Sequence, residues 1–137
     1  MNLGWPRCYY DQGVPKKDPN FAKSAQACTG VPAKPFAHFP AHSSALGLTY
    51  FGADSRVMRD QFVVALHGAM EPKNFGGNKL VAIPREGGAP VDVLTGFWDG
   101  RAKQGRPCGV LAVGPDRFFV SDDASGIVYY ISPKVIK

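Results

Sequence analysis

The chain has few residues of the types that carry catalysis or bind metal ions: three histidines, three cysteines and an adjacent pair of aspartates near its carboxyl end. His67 ends the apolar run QFVVALHG, and His42 precedes a second such run. A histidine at the end of a strand can exchange a proton or contact a ligand, or it can be a hydrogen-bonded structural residue. Both interpretations stay open for His67 and His42.

The three cysteines show no CxxC or Cys/His spacing, so no zinc site is predicted. Cys8 and Cys28 enclose a loop rich in proline and lysine. A disulfide that closes about 20 residues would stabilise such a loop by about 3 kcal/mol in the chain-entropy description. The alternative is that both thiols are reduced and buried. We expect Cys108 to be a small core residue rather than a nucleophile, since no basic partner lies beside it in sequence.

Asp122 and Asp123, in the stretch SDDASG, could be proposed as calcium ligands. Two adjacent acids before Ser-Gly are more typical of a turn, in which a short acidic side chain accepts hydrogen bonds from the following backbone. We therefore predict a turn at this position and no metal site on the chain.

Composition narrows the class of protein. The net charge is +5, but the basic residues are scattered, and Lys16–Lys17 is their one adjacent pair. No face of Lys and Arg forms, so nucleic-acid binding is not predicted. No stretch approaches the roughly 18 apolar residues of a membrane span. The hydrophobic fraction of 45% indicates a folded globular protein.

The strands that we expect to position these residues begin near position 45. Residues 1–44 hold six prolines within the first forty positions, which argues against long helices and central strands. We predict an irregular loop segment at 1–44 that packs on the remainder of the chain.

From Ala45 onward the pattern is that of short strands separated by turn residues. A first set of four is predicted at 46–51, 61–68, 78–85 and 89–96. A second set of three is predicted at 108–114, 117–122 and 127–132. Residues 53–60 could form a short turn at most.

The spacing of about 46 residues for each set is close to the ~40–45 residues of a four-stranded propeller blade. The predicted fold is all-β, with about two four-stranded antiparallel blades over 45–137, the second lacking one strand. The alternative is a seven-stranded sandwich or barrel.

Seven motifs along the chain are similar to a known family and keep its order. They are GWPRCYYDQ, HSSALGLTYF, QFVVALHGA, GGNKLVAIP, LTGFWDG, GRPCGVLAVGPD and FFVSDDASGIVYYIS. They resemble the C-terminal part of the sorbosone dehydrogenase and soluble glucose dehydrogenase family, whose domain is a six-bladed propeller. The resemblance covers nearly the whole chain, but only the last part of that domain.

The resemblance implies a cofactor, pyrroloquinoline quinone with calcium, used to oxidise a sugar. It places the catalytic base and the calcium ligands in earlier blades, so no catalytic residue is assigned here and no activity is expected from this chain alone. Arg106 matches a position from which an arginine faces the quinone carboxylates, a role that suits a planar guanidinium. His67 and His42 are the other candidate cofactor contacts.

The resemblance also supports a Cys8–Cys28 disulfide, which sorbosone-type members have in this loop. It implies export to the periplasm, although MNLGWPRCYY shows no secretory signal and a cytoplasmic location is the alternative. Met1 would then be a start within a truncated gene.

One departure from the family affects the cofactor expectation. Relatives read HGSWNR where this chain reads HGAMEP, with Met70, Glu71 and Pro72 replacing polar or cationic residues. A carboxylate there would weaken binding of a polyanionic quinone, so neither the quinone nor calcium is expected to bind to this chain alone. An alternative function is therefore a self-associating binding module, with a homo-oligomer or the missing blades as partner and a small sugar as a possible ligand.

Overall fold

The computed structural model describes residues 3–21, 28–31, 35–69 and 76–133, and all regular secondary structure in these ranges is β-strand. In the first unit the strands are β1 (Cys8–Asp11) and β2 (Val14–Lys17). In the second unit they are β3 (Ala45–Phe51), β4 (Gln61–Leu66), β5 (Lys79–Pro84), β6 (Val91–Leu94), β7 (Pro107–Gly114), β8 (Arg117–Asp122) and β9 (Ile127–Ile131). No helix among the described residues has the length and apolar character needed to cross a membrane.

The chain divides into two units, Met1–His38 and Phe39–Lys137. In the first unit, β1 and β2 form an antiparallel hairpin with Asp11 opposite Val14. The two residues between them, Gln12 and Gly13, have φ values of 49° and 81°. A two-residue hairpin turn of this kind needs positive φ at both positions, which glycine adopts without strain. Cys8 and Cys28 are joined by a disulfide in this unit, which confirms the predicted link.

The first sheet of the second unit has the order β3-β4-β5-β6, with every pair antiparallel. β4 and β5 are its central strands, and each carries a run of four consecutive buried residues. Their sequences, QFVVAL and KLVAIP, are rich in β-branched and apolar residues. Such continuous apolar runs are typical of strands covered on both faces.

The second sheet has three strands in the order β7-β8-β9. β8 alternates strictly at its centre: Phe118 and Val120 are buried, whereas Phe119 between them is exposed. A strand with one covered and one open face shows this period of two. Within the described ranges, the second sheet is therefore covered on one face only.

The core of the second unit lies between the two sheets. Its buried cluster draws on both, and the rings of Phe51 and Phe118 meet edge to face at 5.6 Å. The backbones of β3 and β7 approach closely at Gly47, where an added side-chain carbon would lie 2.5 Å from the carbonyl oxygen of Cys108. Glycine is required there because no larger residue permits this approach.

The all-β prediction is confirmed, and sheets of four and three antiparallel strands are consistent with a partial β-propeller. All seven strands predicted in the second unit are present; β8 has the predicted bounds, and the ends of the others shift by one or two residues. β6 is two residues shorter at each end than predicted, and it starts at Val91 rather than at residue 89. Pro90 explains this shift because it has no N–H to donate to a neighbouring strand.

Candidate functional site

Polar side chains gather at one end of the two sheets. His67 follows β4, Asn78 precedes β5, Arg106 precedes β7 and Asp123 follows β8. Because neighbouring strands are antiparallel, the end of one strand and the start of the next lie at the same edge. We call this edge the loop end; it also holds the start of β3.

Three consecutive residues at the loop end, 67–69, each contact the loops of the second sheet. His67 Nε2 lies 2.8 Å from Asp123 Oδ1. Arg106 Nη2 donates a hydrogen bond to the carbonyl oxygen of Gly68 at 3.0 Å, and Lys103 Nζ donates to that of Ala69 at 2.5 Å. We call segment 67–69 with these three partners the clamp. It ties the first sheet to the second through two cations and one ion pair.

The imidazole of His67 is oriented by its carboxylate partner. Its side chain is 12% exposed, whereas that of Asp123 is 55% exposed. A carboxylate at hydrogen-bond distance fixes the plane of the ring. The pair can therefore present the ring edge to a bound polar group in a defined orientation.

The loop before β3 is attached to the same segment. The backbone N–H of His67 donates to the carbonyl oxygen of Ser44 at 3.0 Å, and that of Gly68 donates to Ser43 at 2.9 Å. His42 lies in this loop with a φ of 65° and is exposed. The structure thus brings Arg106 into contact with the segment that contains His67. His42 lies one residue before Ser43, whose carbonyl oxygen accepts a hydrogen bond from the same segment.

Asp122 organises the second-sheet side of the clamp. Its Oδ1 accepts hydrogen bonds from the backbone N–H groups of Arg106, Ala124 and Ser125 at 2.9, 3.0 and 3.2 Å. Burial raises the pKa of this carboxyl, but the accepted hydrogen bonds from Arg106, Ser125 and Ala124 outweigh it, so the net pKa lies below its ordinary value. The predicted turn at Asp122 is confirmed, and the same carboxylate also holds the backbone of Arg106.

Glycines let these loops approach one another. Asn78 Nδ2 donates to the carbonyl oxygen of Gly105 at 3.0 Å. A Cβ at Gly105 would overlap Asp122 Oδ2, and one at Gly68 would overlap the Asn78 side chain. Glycine at these two positions therefore lets the loops pack directly against the side chains of Asp122 and Asn78.

His67, Arg106 and His42 were predicted from the sequence as candidates, whereas two members of the clamp, Lys103 and Asp123, were not. Lys103 lies three residues before Arg106 in the same loop. The signal that the sequence offered for Lys103 was its position close to a second cation, Arg106, just before a predicted strand. The pairing of Asp123 with a histidine 56 residues away had no local signal. The departure at Met70, Glu71 and Pro72 lies outside the described residues.

No protein-family model matches the sequence, and no curated protein matches it. Two solved structures share its fold: the calcium structure and the iodide structure of Trichoderma reesei Carbohydrate-Active Enzymes Family AA12. Their TM-scores are 0.73 and 0.72, at 19% and 20% sequence identity. Each comparison covers 94% of this chain and 38% of the other chain. This chain thus spans less than two fifths of the structures that it matches.

Proposed function

We propose that the chain is a two-blade portion of a propeller oxidoreductase of the quinoprotein sugar-dehydrogenase kind, without dehydrogenase activity of its own. The observation that carries this proposal is the clamp, where His67, Lys103 and Arg106 meet on one segment between the two sheets. The fold shared with a carbohydrate-active enzyme family, together with the motifs of the sequence, supports the assignment.

The residues of the loop end fit the anionic side of a quinone that bears carboxylates. Arg106 and Lys103 supply positive charge, and Gly68 and Ala69 hold both cations in place through their carbonyl oxygens. A planar guanidinium matches a carboxylate geometrically. When bound, such a quinone supplies the two-electron oxidation of a sugar hydroxyl group. The part of this chain is to orient the cofactor and to keep the ring of His67 in a fixed plane.

Calcium does not fit the described residues in the same way. Within them, no group of three or more His, Cys, Asp or Glu side chains comes together. Calcium requires six to eight oxygen ligands, most of them from carboxylates, carbonyls and water. We infer that a calcium site would need other blades, which is why the chain should not turn over substrate alone.

The first test is an activity assay. The purified chain is mixed with pyrroloquinoline quinone, calcium, an aldose and a dye acceptor. We expect no dye reduction above a control without protein. Clear turnover, proportional to the concentration of the chain, would refute the lack of autonomous activity.

The second test is calorimetric titration with the quinone. Arg106→Ala should weaken binding at least tenfold, since charge-assisted hydrogen bonds to a carboxylate are worth about 1.5–3 kcal/mol. Arg101→Ala is the matched control because Arg101 is an exposed cation of the same loop. Equal affinities for the two variants would remove Arg106 from the cofactor site.

The disulfide supports a proposal about the compartment. A structural Cys8–Cys28 link is favoured in oxidising environments, such as the periplasm, over the reducing cytosol. We therefore propose that the chain functions after export. Mass spectrometry of the protein from periplasmic and cytosolic fractions, with and without thiol alkylation, tests this.

A second candidate function is that of a self-associating module, and one observation favours it. The outward face of the second sheet is apolar and exposed, most clearly at Leu111, Phe119, Val128 and Tyr130. Contiguous apolar faces of this kind commonly mark protein contacts. Light scattering at micromolar concentration distinguishes the candidates, since a strict monomer argues against self-association.

A further inference from the structure

Asp122 is a deeply buried ionisable residue of the loop end. Its exposed fraction is 2%, whereas the side chain of Asp123, the next residue, is 55% exposed. Burial of a carboxylate is unfavourable unless hydrogen bonds replace the water that it loses. Asp122 Oδ1 accepts three such bonds, all from backbone N–H groups. One comes from the loop before β7 and two come from the turn after β8, so a single oxygen atom joins two loops.

The loop before β7 carries Arg106. The backbone N–H of Arg106 donates to Asp122 Oδ1 at 2.9 Å, and its carbonyl oxygen accepts from the N–H of Asp123 at 3.4 Å. The preceding residue, Gly105, is held from the side of the first sheet, because its carbonyl oxygen accepts from Asn78 Nδ2 at 3.0 Å. The backbone that carries the guanidinium is therefore held on both sides.

The turn after β8 carries Asp123, the partner of His67. The N–H groups of Ala124 and Ser125 donate to Asp122 Oδ1 at 3.0 and 3.2 Å, as in a turn that an aspartate side chain closes. Asp123 lies within this turn, and its Oδ1 is 2.8 Å from His67 Nε2. The turn therefore sets the position of the carboxylate that orients the imidazole.

We propose that Asp122 is the positioning residue of the loop end: through the two loops, its carboxylate fixes both the guanidinium of Arg106 and the imidazole of His67. The inference rests on the proposed function, in which these two side chains contact a quinone that bears carboxylates. Because Asp122 is buried, it acts through the other two residues and not by direct contact with the ligand. A rigid ligand binds well only to groups that are already held in the matching arrangement.

An aspartate at the opposite end of the two sheets provides the matched control. Asp116 also joins the sheets, since its carboxylate accepts hydrogen bonds from the Ser55 hydroxyl and from the N–H groups of Arg56 and Val57. Asp116→Ala should therefore destabilise the second unit as Asp122→Ala does. The hydrogen bonds described for Asp116 all lead to segment 55–57, so its loss should leave the loop end in place.

The first measurement follows the imidazole through its ring nitrogen signals in NMR spectra. The chain has three histidines, so selective labelling of histidine gives few signals, and His67→Gln identifies those of His67. Asp122→Ala should shift them by at least about half as much as Asp123→Asn does, because residues of one hydrogen-bond network are coupled. Asp116→Ala should leave them at their wild-type positions.

The second measurement follows the guanidinium through its reaction with phenylglyoxal, read by mass spectrometry. In the wild-type chain, Arg106 is partly buried and donates to the carbonyl oxygen of Gly68, so it should react slowly. Asp122→Ala should raise its rate at least about threefold, because the backbone that holds it opens more often. Arg101, an exposed residue of the same loop, should keep its rate, and Asp116→Ala should change neither rate.

Affinity for pyrroloquinoline quinone gives the functional measurement, and the sign of the change is informative. If Asp122 acted on the ligand through its charge alone, removal of the carboxylate would strengthen the binding of an anion. Positioning predicts the opposite, so Asp122→Ala should weaken binding at least about fivefold in calorimetric titration. Asp122→Asn loses the charge but keeps an oxygen acceptor, and it should cause the same changes in all three measurements at a smaller size.

Wild-type ring signals together with an unchanged rate at Arg106 in Asp122→Ala would overturn the proposal. Equal changes in Asp116→Ala would also overturn it, because they would result from general destabilisation. If Asp122→Ala does not fold, Asp122→Asn decides in its place, and wild-type signals and rates in that variant contradict the proposal.

Failure of the proposed function is distinguishable from failure of this inference. Equal quinone affinities of Arg106→Ala and Arg101→Ala would remove the cofactor contact, whereas the ring signals and the reaction rates need no ligand. If Arg106→Ala does weaken quinone binding, unchanged or tighter binding by Asp122→Ala would show that Asp122 does not position the site.

Discussion

The two sheets of the second unit have similar strands but different surroundings. In the first sheet, Val63 and Val64 are neighbours in β4 that point to opposite faces, and both are buried. In the second sheet, Phe118 is buried while Phe119 and Leu111 are exposed. Strands of both sheets are rich in apolar residues, but the burial of those residues depends on whether another element packs against their face of the sheet. The exposed residues of the second sheet lie on a face that the described residues leave uncovered.

The two ends of this unit differ in a second way. The loop end is held by the clamp and by Asp122, whereas the opposite end is held by Asp116. The Ser55 hydroxyl donates to Asp116 Oδ1 at 2.6 Å, and this hydrogen bond together with backbone N–H donors lowers the pKa of Asp116. Both ends thus join the sheets through an aspartate, but among the described contacts the histidine–aspartate pair lies at the loop end.

The largest difference in stability between the two sheets is expected when one leucine in each sheet is replaced by alanine. Leu80→Ala empties a fully buried position between the sheets and should lower the free energy of unfolding by about 2–5 kcal/mol. Leu111→Ala removes an exposed side chain and should change it by less than about 0.5 kcal/mol. Urea denaturation followed by circular dichroism measures both. Similar losses would show that the outer face of the second sheet is covered in solution.

Asp122→Ala should lower the free energy of unfolding by about 2–3 kcal/mol, because three backbone N–H groups lose their acceptor. The cost should depend on pH. The pKa of Asp122 is depressed in the folded state, so its contribution is present above the unfolded pKa of about 3.9 and is lost as pH falls through the folded pKa.

Denaturation of Asp122→Ala and wild type at pH 7 and near pH 3 measures this dependence. The difference in stability should shrink on acidification. A difference that stays constant would mean that packing, rather than the charge of the carboxylate, is what the substitution removes.

A smaller effect is expected for the ion pair of the clamp. His67→Gln, Asp123→Asn and the double variant form a cycle whose coupling energy should be about 0.5–1 kcal/mol, since Asp123 is largely exposed. The coupling should weaken in 1 M salt, where charges are screened over about 3 Å. Coupling that does not change with salt would indicate a neutral hydrogen bond instead.

The smallest effect is expected for the ion pair between β5 and β6. Lys79 Nζ lies 2.7 Å from Asp92 Oδ1, but both side chains are substantially exposed. Lys79→Met should change the free energy of unfolding by less than about 1 kcal/mol. A larger loss would show that β6 depends on this pair for its attachment to β5.

The strands could be predicted from the sequence because their signals are local. The run QFVVAL and the alternation in RFFVSD each lie within six residues. Pro90 shows the limit of such prediction, since the apolar pattern extended through it while hydrogen bonding did not. The turn at Asp122 was predicted for the same local reason. Its bond to Arg106, 16 residues earlier, was not.

By itself, the sequence determined where the chain is extended, where it turns and which residues have the chemistry to hold a proton or an anion. These properties follow from side-chain shape, backbone restriction and ionisable groups, which act within a few residues. Only the tertiary structure decided that His67 meets Asp123 and that Arg106 donates to Gly68. Such contacts depend on how two sheets pack, and packing distances are set by residues far apart in the chain.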